Sequence, residues 1–234
     1  MGELGRRVVR CRAGAALAIT VLIGLSACTS KPAREVSSLP TREATTTAAA
    51  PSVPARGSVA TATIRAYITG YSYFDNTRPI TGQISHPILH NQAGGRGTYD
   101  DPITVAVGHV REGEVHTMDW PAGTRFYVPN LRRYLIVEDT CGDGERPQDG
   151  PCHIGYPPEA TTWLNVWIGG KDGTSHDAEL CMQKITGVWD VLVEPSPDLA
   201  VDPGDIYSPA SPLRSDPAAP GCARTYGDEV SRLS

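Results

Sequence analysis

Bulky apolar side chains are scarce in this chain. Its 234 residues hold 2 Phe and 3 Met, and aromatics make up 6%. Such a set suits neither a helical bundle nor a Met-rich binding surface. A basic excess is missing too. Lys and Arg number 21 against 26 Asp and Glu, a formal charge of −5, whereas a nucleic-acid binder would carry a basic stripe. No run of 18 apolar residues occurs beyond the N-terminus, which excludes a multispan helical membrane protein. Gly94-Gly95-Arg96-Gly97 is followed by no Gly-Lys-Ser/Thr, so it reads as a flexible lip and not as a phosphate loop. Cys141-x₁₀-Cys152 is not a zinc-knuckle spacing. His86 and His90 stand four apart, but Pro87 between them rules out a helical metal pair. No metal, cofactor or nucleic acid is expected. What the chain has in excess is Gly (24) and Pro (20), about 19% together, against ~12% in an average soluble protein. One globular domain with unstructured flanks is the expectation.

The N-terminus reads as an address. Arg6, Arg7, Arg10 and Arg12 precede an apolar stretch from Ala13 to Leu25, and Leu25-Ser26-Ala27-Cys28 follows. This order resembles a bacterial lipoprotein signal ending in a lipobox. The resemblance implies that residues 1–27 are removed and that Cys28 is acylated through its thiol. The protein would then sit on the outer face of the cell membrane. Arg6-Arg7 leaves twin-arginine export open beside the general route. Two acyl chains anchor stably, whereas one myristoyl chain binds only marginally, with K on the order of 10⁴ M⁻¹. Residues 28–60 are rich in Pro, Ala, Thr and Ser and read as a tether that cannot offset its chain entropy by burial. Four Arg and one Glu leave with the signal, so 21 basic and 26 acidic residues become 17 and 25, or −8.

Residues 61–195 are expected to fold. All four Trp, all six His and both Phe lie there. Six short β-type runs are visible, at 63–71, 104–107, 125–128, 134–137, 164–168 and 189–193. Gly and Pro separate them, which predicts a small barrel or sandwich. One helix is predicted over 177–185, acidic at its start and carrying Lys184 near its end. Residues 196–234 form a Pro-rich C-terminal tail.

Six cysteines are encoded. Cys11 leaves with the signal and Cys28 takes lipid. Cys141, Cys152, Cys181 and Cys222 remain, an even number in an oxidising compartment, so two disulfides are expected. Three connectivities are possible, and sequence does not choose among them. A Cys141–Cys152 bridge would close a short loop; Cys181–Cys222 would then fasten the tail to the helix.

Several segments share one pattern. They are Thr69-Gly70-Tyr71-Ser72-Tyr73-Phe74-Asp75, Gly94 to Ala106, Ala122 to Tyr134, Ile136-Val137-Glu138-Asp139-Thr140-Cys141, Leu164 to Gly169 and Cys181 to Gly187. Together they resemble secreted double-psi β-barrel proteins of bacteria and fungi. More distantly they are similar to the three-aspartate domain of murein lytic transglycosylase A and to RlpA and expansin barrels. The resemblance implies a six-stranded double-psi β-barrel with one or two short helices, acting on cell-wall glycan. In that pattern Asp139 occupies the place of an active-site aspartate, able when protonated to serve as a general acid. Thr69, Tyr71, Tyr73, Asp101 and Asn165 are the substrate-binding candidates, and Trp163 is a further stacking aromatic. The other two aspartates of the pattern are replaced, one by Asn165 and one within Gly108-His109-Val110. Asn can hold a sugar hydroxyl but cannot act as a general acid. The expectation is therefore a glycan-binding envelope lipoprotein that does not cleave, with peptidoglycan as partner and a monomeric state. A peptidoglycan-cleaving enzyme and a structural lipoprotein with a vestigial groove are the alternatives. Residues 61–195 carry 10 basic and 17 acidic side chains, or −7. Anionic wall polymers would thus be held by stacking and hydrogen bonds and not by bulk charge.

Overall fold

The computed structural model describes residues 62–75, 82–142, 144–210 and 216–227. The expected signal, the expected lipidation at Cys28 and the expected tether fall in residues 1–61, outside the described residues. The eight strands are β1 (Ala62–Tyr71), β2 (Ile103–Val107), β3 (His109–Glu112), β4 (Val115–Met118), β5 (Arg125–Val128), β6 (Arg133–Thr140), β7 (Thr162–Trp167) and β8 (Gly187–Val193). Two helices accompany them, α1 (Pro151–Ile154) and α2 (Ser175–Ile185). The molecule is mainly β, and six strands close a barrel in the order β1-β7-β2-β6-β5-β8. β1 pairs with β7, and β2 with β6, in parallel; the other four junctions are antiparallel.

The predicted runs became strands because every second residue is apolar and faces the barrel axis. Ala66 and Ile68 of β1, Val105 and Val107 of β2, Leu135 and Val137 of β6, and Leu164 and Val166 of β7 all join one buried cluster. The hairpin β3–β4 was not among those runs. It stands outside the barrel as a two-stranded sheet, and half-buried or exposed residues supply most of it.

Helix α2 is capped by Thr174, whose hydroxyl accepts from the Asp177 amide at 3.0 Å. It buries Ala178, Cys181 and Ile185 on one face. That face packs on β1 at Gly70, where a Cβ would lie 2.9 Å from Met182 and 3.2 Å from Ile185. The close approach requires glycine.

The stretch after Pro195, Pro-rich and expected to trail, is packed as a strap. Ile206, Tyr207, Cys222 and Ala223 are buried. Tyr134 donates to the Ser196 carbonyl at 2.6 Å, and the Tyr127 hydroxyl donates to the Ala200 carbonyl. The Tyr207 amide donates to the Ile168 carbonyl at 2.7 Å. Disulfides join Cys141 to Cys152 and Cys181 to Cys222, with Cα atoms 5.8 and 5.2 Å apart. The second one fastens the strap to α2.

Candidate functional site

The site begins with one irregularity. β6 runs beside β2 with Thr104 opposite Ile136 and Val105 opposite Val137, and then Ala106 faces Asp139. Glu138 is the extra residue of a β-bulge. In an unbroken strand Asp139 would share the inward orientation of Leu135 and Val137. The bulge instead leaves two consecutive acids on the outside of the barrel.

Glu138 is fully buried under the loop that starts at Gly82. Its carboxylate accepts from the amides of Ile88, Leu89 and His90, from His90 Nδ1 at 2.7 Å and from the Thr104 hydroxyl at 3.1 Å. His90 Nε2 meets Asp101 Oδ1 at 3.0 Å. An imidazole between two carboxylates can donate from both nitrogens only as the cation, so this arrangement favours the protonated ring. Burial alone would push the Glu138 carboxyl up, but His90 and the backbone amides outweigh it and hold the carboxyl low. Burial likewise pulls His90 down, and its bonds to Glu138 and Asp101 reverse this, so His90 titrates above the ordinary imidazole value.

Asp139 is half-buried and faces the other way. Its Oδ1 accepts from the Ser85 amide and hydroxyl, both at 3.0 Å, and from the Thr140 amide at 2.9 Å. Its Oδ2 accepts from the Tyr71 hydroxyl at 3.3 Å. Burial pushes this carboxyl above the ordinary aspartate range, although its donors oppose the shift. Burial and the neighbouring Asp139 charge also push the Tyr71 phenol well up, so Tyr71 is a donor at neutral pH. His86 Nδ1 lies 2.9 Å from the Ser85 hydroxyl. Serine here stands between imidazole and carboxylate. An acyl-transfer triad places the imidazole in the middle, so Ser85 positions Asp139 and is not an activated nucleophile.

The strand register extends the site sideways. Thr69 of β1 faces Asn165 of β7, Asn165 faces Ala106 of β2, and Ala106 faces Asp139 of β6. These four residues form one row across four strands. The Thr69 hydroxyl donates to Asn165 Oδ1 at 2.8 Å and accepts from Trp163 Nε1 at 2.6 Å. Ala106 is the smallest member of the row and adds no polar group between Asn165 and Asp139.

Residues 63–215 match the model of the DDB_G0273701 N-terminal domain family. The chain belongs to this family. A relative from Dictyostelium discoideum, the uncharacterized protein DDB_G0273701/DDB_G0273221, is 31% identical over 137 residues. That stretch covers 58% of this chain and 52% of the relative, so the chain spans about half the relative's length. No solved structure matches the chain. The family match covers the barrel strands from residue 63 onward and the first part of the strap, as far as residue 215.

Of the residues singled out from sequence, Asp139, Tyr71, Thr69 and Asn165 come together. Asp101 lies on the far side of the bulge, in a turn closed by Arg96 and Gly97 amides on its carbonyl, and reaches the site only through His90. Tyr73 lines a separate cleft beside Trp167. Ser85, His86, His90 and Glu138 were not singled out as site residues. Glu138 was visible in the Glu-Asp-Thr motif, but nothing in the sequence connects it to His90, 48 positions away. Among the described residues no group of three or more His, Cys, Asp or Glu is placed to hold a metal ion.

Proposed function

We propose that this chain is an exported, membrane-anchored lipoprotein whose barrel binds cell-wall glycan, peptidoglycan foremost, without cleaving it. The parallel β1–β7 and β2–β6 pairs suit the double-psi barrel that the sequence resembles. The observation that carries the reading is the outward row of Thr69, Asn165 and Asp139 with Tyr71 beside it. It offers hydroxyl, amide and carboxylate groups to a sugar edge, and it contains one carboxylate only. Glycosidases that activate water use two carboxylates flanking the bond. The second acid nearby, Glu138, is sealed under the loop and unavailable. One observation favours cleavage instead: burial raises the Asp139 carboxyl, as a general acid requires. A single experiment separates the two readings. The protein is incubated with insoluble peptidoglycan, and both the bound fraction and the soluble products are measured. Retention on the wall with no soluble muropeptides is the expected outcome. Anhydromuramyl products that vanish with Asp139→Asn would establish cleavage. Neither retention nor products would leave a structural lipoprotein.

A further inference from the structure

A cleft of about 480 Å³ opens beside the polar row, within the roughly 300–1,000 Å³ of small-molecule sites. Its apolar lining comes from Tyr73 and Trp167, and its polar rim includes Gln92, Lys171, Asp172 and Asp205. One wall is the strap. Tyr207 is pinned there by its amide on the Ile168 carbonyl, and Ser208 by its amide on the Gly221 carbonyl at 2.9 Å. The Tyr207 ring lies against bare backbone at Gly170, whose φ is 100° and where a Cβ would sit 2.9 Å from the ring. Glycine is needed there for both reasons. The strap wall of the cleft is therefore seated directly on the Gly170 backbone.

We infer that this cleft, separate from the row that ends at Asp139, is a subsite for one neutral sugar ring. The inference rests on the glycan-binding reading and adds to it a place and a ligand class. Three observations select the class. Aromatic side chains beside a hydrogen-bonding rim match a pyranose, which has an apolar C–H face and a polar edge. Two rim carboxylates against one lysine repel phosphate and polyanions. A fully apolar ligand would cover Lys171 and Asp172 and cost them their water without replacing it. The cleft and the row are neighbours linked by packed side chains: the Trp167 ring meets the Tyr71 ring edge-on at 5.2 Å, and Tyr71 donates to Asp139.

The test titrates the full chain with three neutral disaccharides, chitobiose, cellobiose and maltose, followed by tryptophan fluorescence and calorimetry. At least one is expected to bind saturably. Asp172→Ala, on the exposed rim, should weaken that binding about threefold to tenfold. Ala210→Trp, which fills the cleft from its exposed lip, should abolish it. Trp167→Phe should remove most of the fluorescence change. Arg146→Gln, whose exposed ion pair with Asp149 lies outside the cleft, should alter nothing. Saturable binding that survives both Asp172→Ala and Ala210→Trp would overturn the inference. So would the absence of disaccharide binding in a protein that still sediments with peptidoglycan, and in that case the glycan-binding reading stands. Absence of both disaccharide binding and wall retention would overturn the two together.

Discussion

The two flanks of the β6 bulge hold neighbouring carboxylates under opposite conditions. On one flank Glu138 is sealed from water, meets five donors and is held ionised by His90 and backbone amides. On the other, Asp139 meets four donors, keeps partial exposure and is pushed toward its neutral form by burial. A structural acid is one whose charge the fold satisfies more fully than water does. A functional acid is one whose charge the fold leaves under-compensated, and that residual cost is available to a ligand. By this criterion Glu138 is the structural acid, and Asp139 is the one left for a ligand in the proposed reading.

Removing the structural acid should have the largest effect. Glu138→Ala leaves the His90 cation beside Asp101 alone and takes the acceptor from three consecutive amides. Breaking a buried pair in this way costs about 3–5 kcal/mol. Urea denaturation of wild type and variant would read it. A loss below about 1 kcal/mol would erase the contrast between the two flanks. The loop amides of residues 88–90 should also lose hydrogen-exchange protection, because their acceptor is gone.

The ion pair also sets a pH window on the closed flank. His90 titrates above its ordinary value of 6.5 in the folded protein. Its contribution is therefore complete below about 6.5 and fades as pH climbs through the raised folded value. Glu138 titrates below its ordinary 4.5. Its contribution is present above about 4.5 and is lost as pH falls through the lowered folded value. The clamp is thus strongest between these limits. His90→Gln should flatten the alkaline side of the stability profile and also shrink the acid side, because the His90 side chain is the largest contributor holding Glu138 low. An NMR titration placing His90 below 6.5 would contradict the two-carboxylate arrangement.

How much of this was legible beforehand follows from which interactions are local. The barrel strands were readable because their signal is written in adjacent residues, near-alternation in Thr63-Ile64-Arg65-Ala66-Tyr67-Ile68 and a continuous apolar run in Tyr134-Leu135-Ile136-Val137. The bulge was not, since it is a relation between β6 and β2 and appears only when Val105 and Ala106 are placed against Val137 and Asp139. His90 and Glu138 were opaque for the same reason, being joined by a loop with no periodicity. The strap was legible only at Cys222, as the point that could fasten the tail to the helix. Its buried residues come in short groups, Ile206-Tyr207 and Gly221-Cys222-Ala223, too short to register against the Pro and Asp around them. Asp139, Asn165 and Thr69 could be proposed from motifs, but their shared row required the register of four strands.

The smallest expected effect on stability is the most informative about function. Asp139 titrates above its ordinary 3.8. For an acid raised in the folded state, the folded protein binds the proton more tightly than the unfolded chain. Stability is then lost as pH rises through the folded value, and at neutral pH the ionised group is a cost. Asp139→Asn removes that charge yet keeps an oxygen to accept from Ser85, Thr140 or Tyr71. The variant should be as stable as wild type at neutral pH, or slightly more so, and its wall retention should fall severalfold. That pairing is the signature of a group kept for its ligand at the expense of the fold. If Asp139→Asn instead destabilised as strongly as Glu138→Ala and left wall retention unchanged, both acids would be structural. The row of Thr69, Asn165 and Asp139 would then be only the packed outer surface of a barrel.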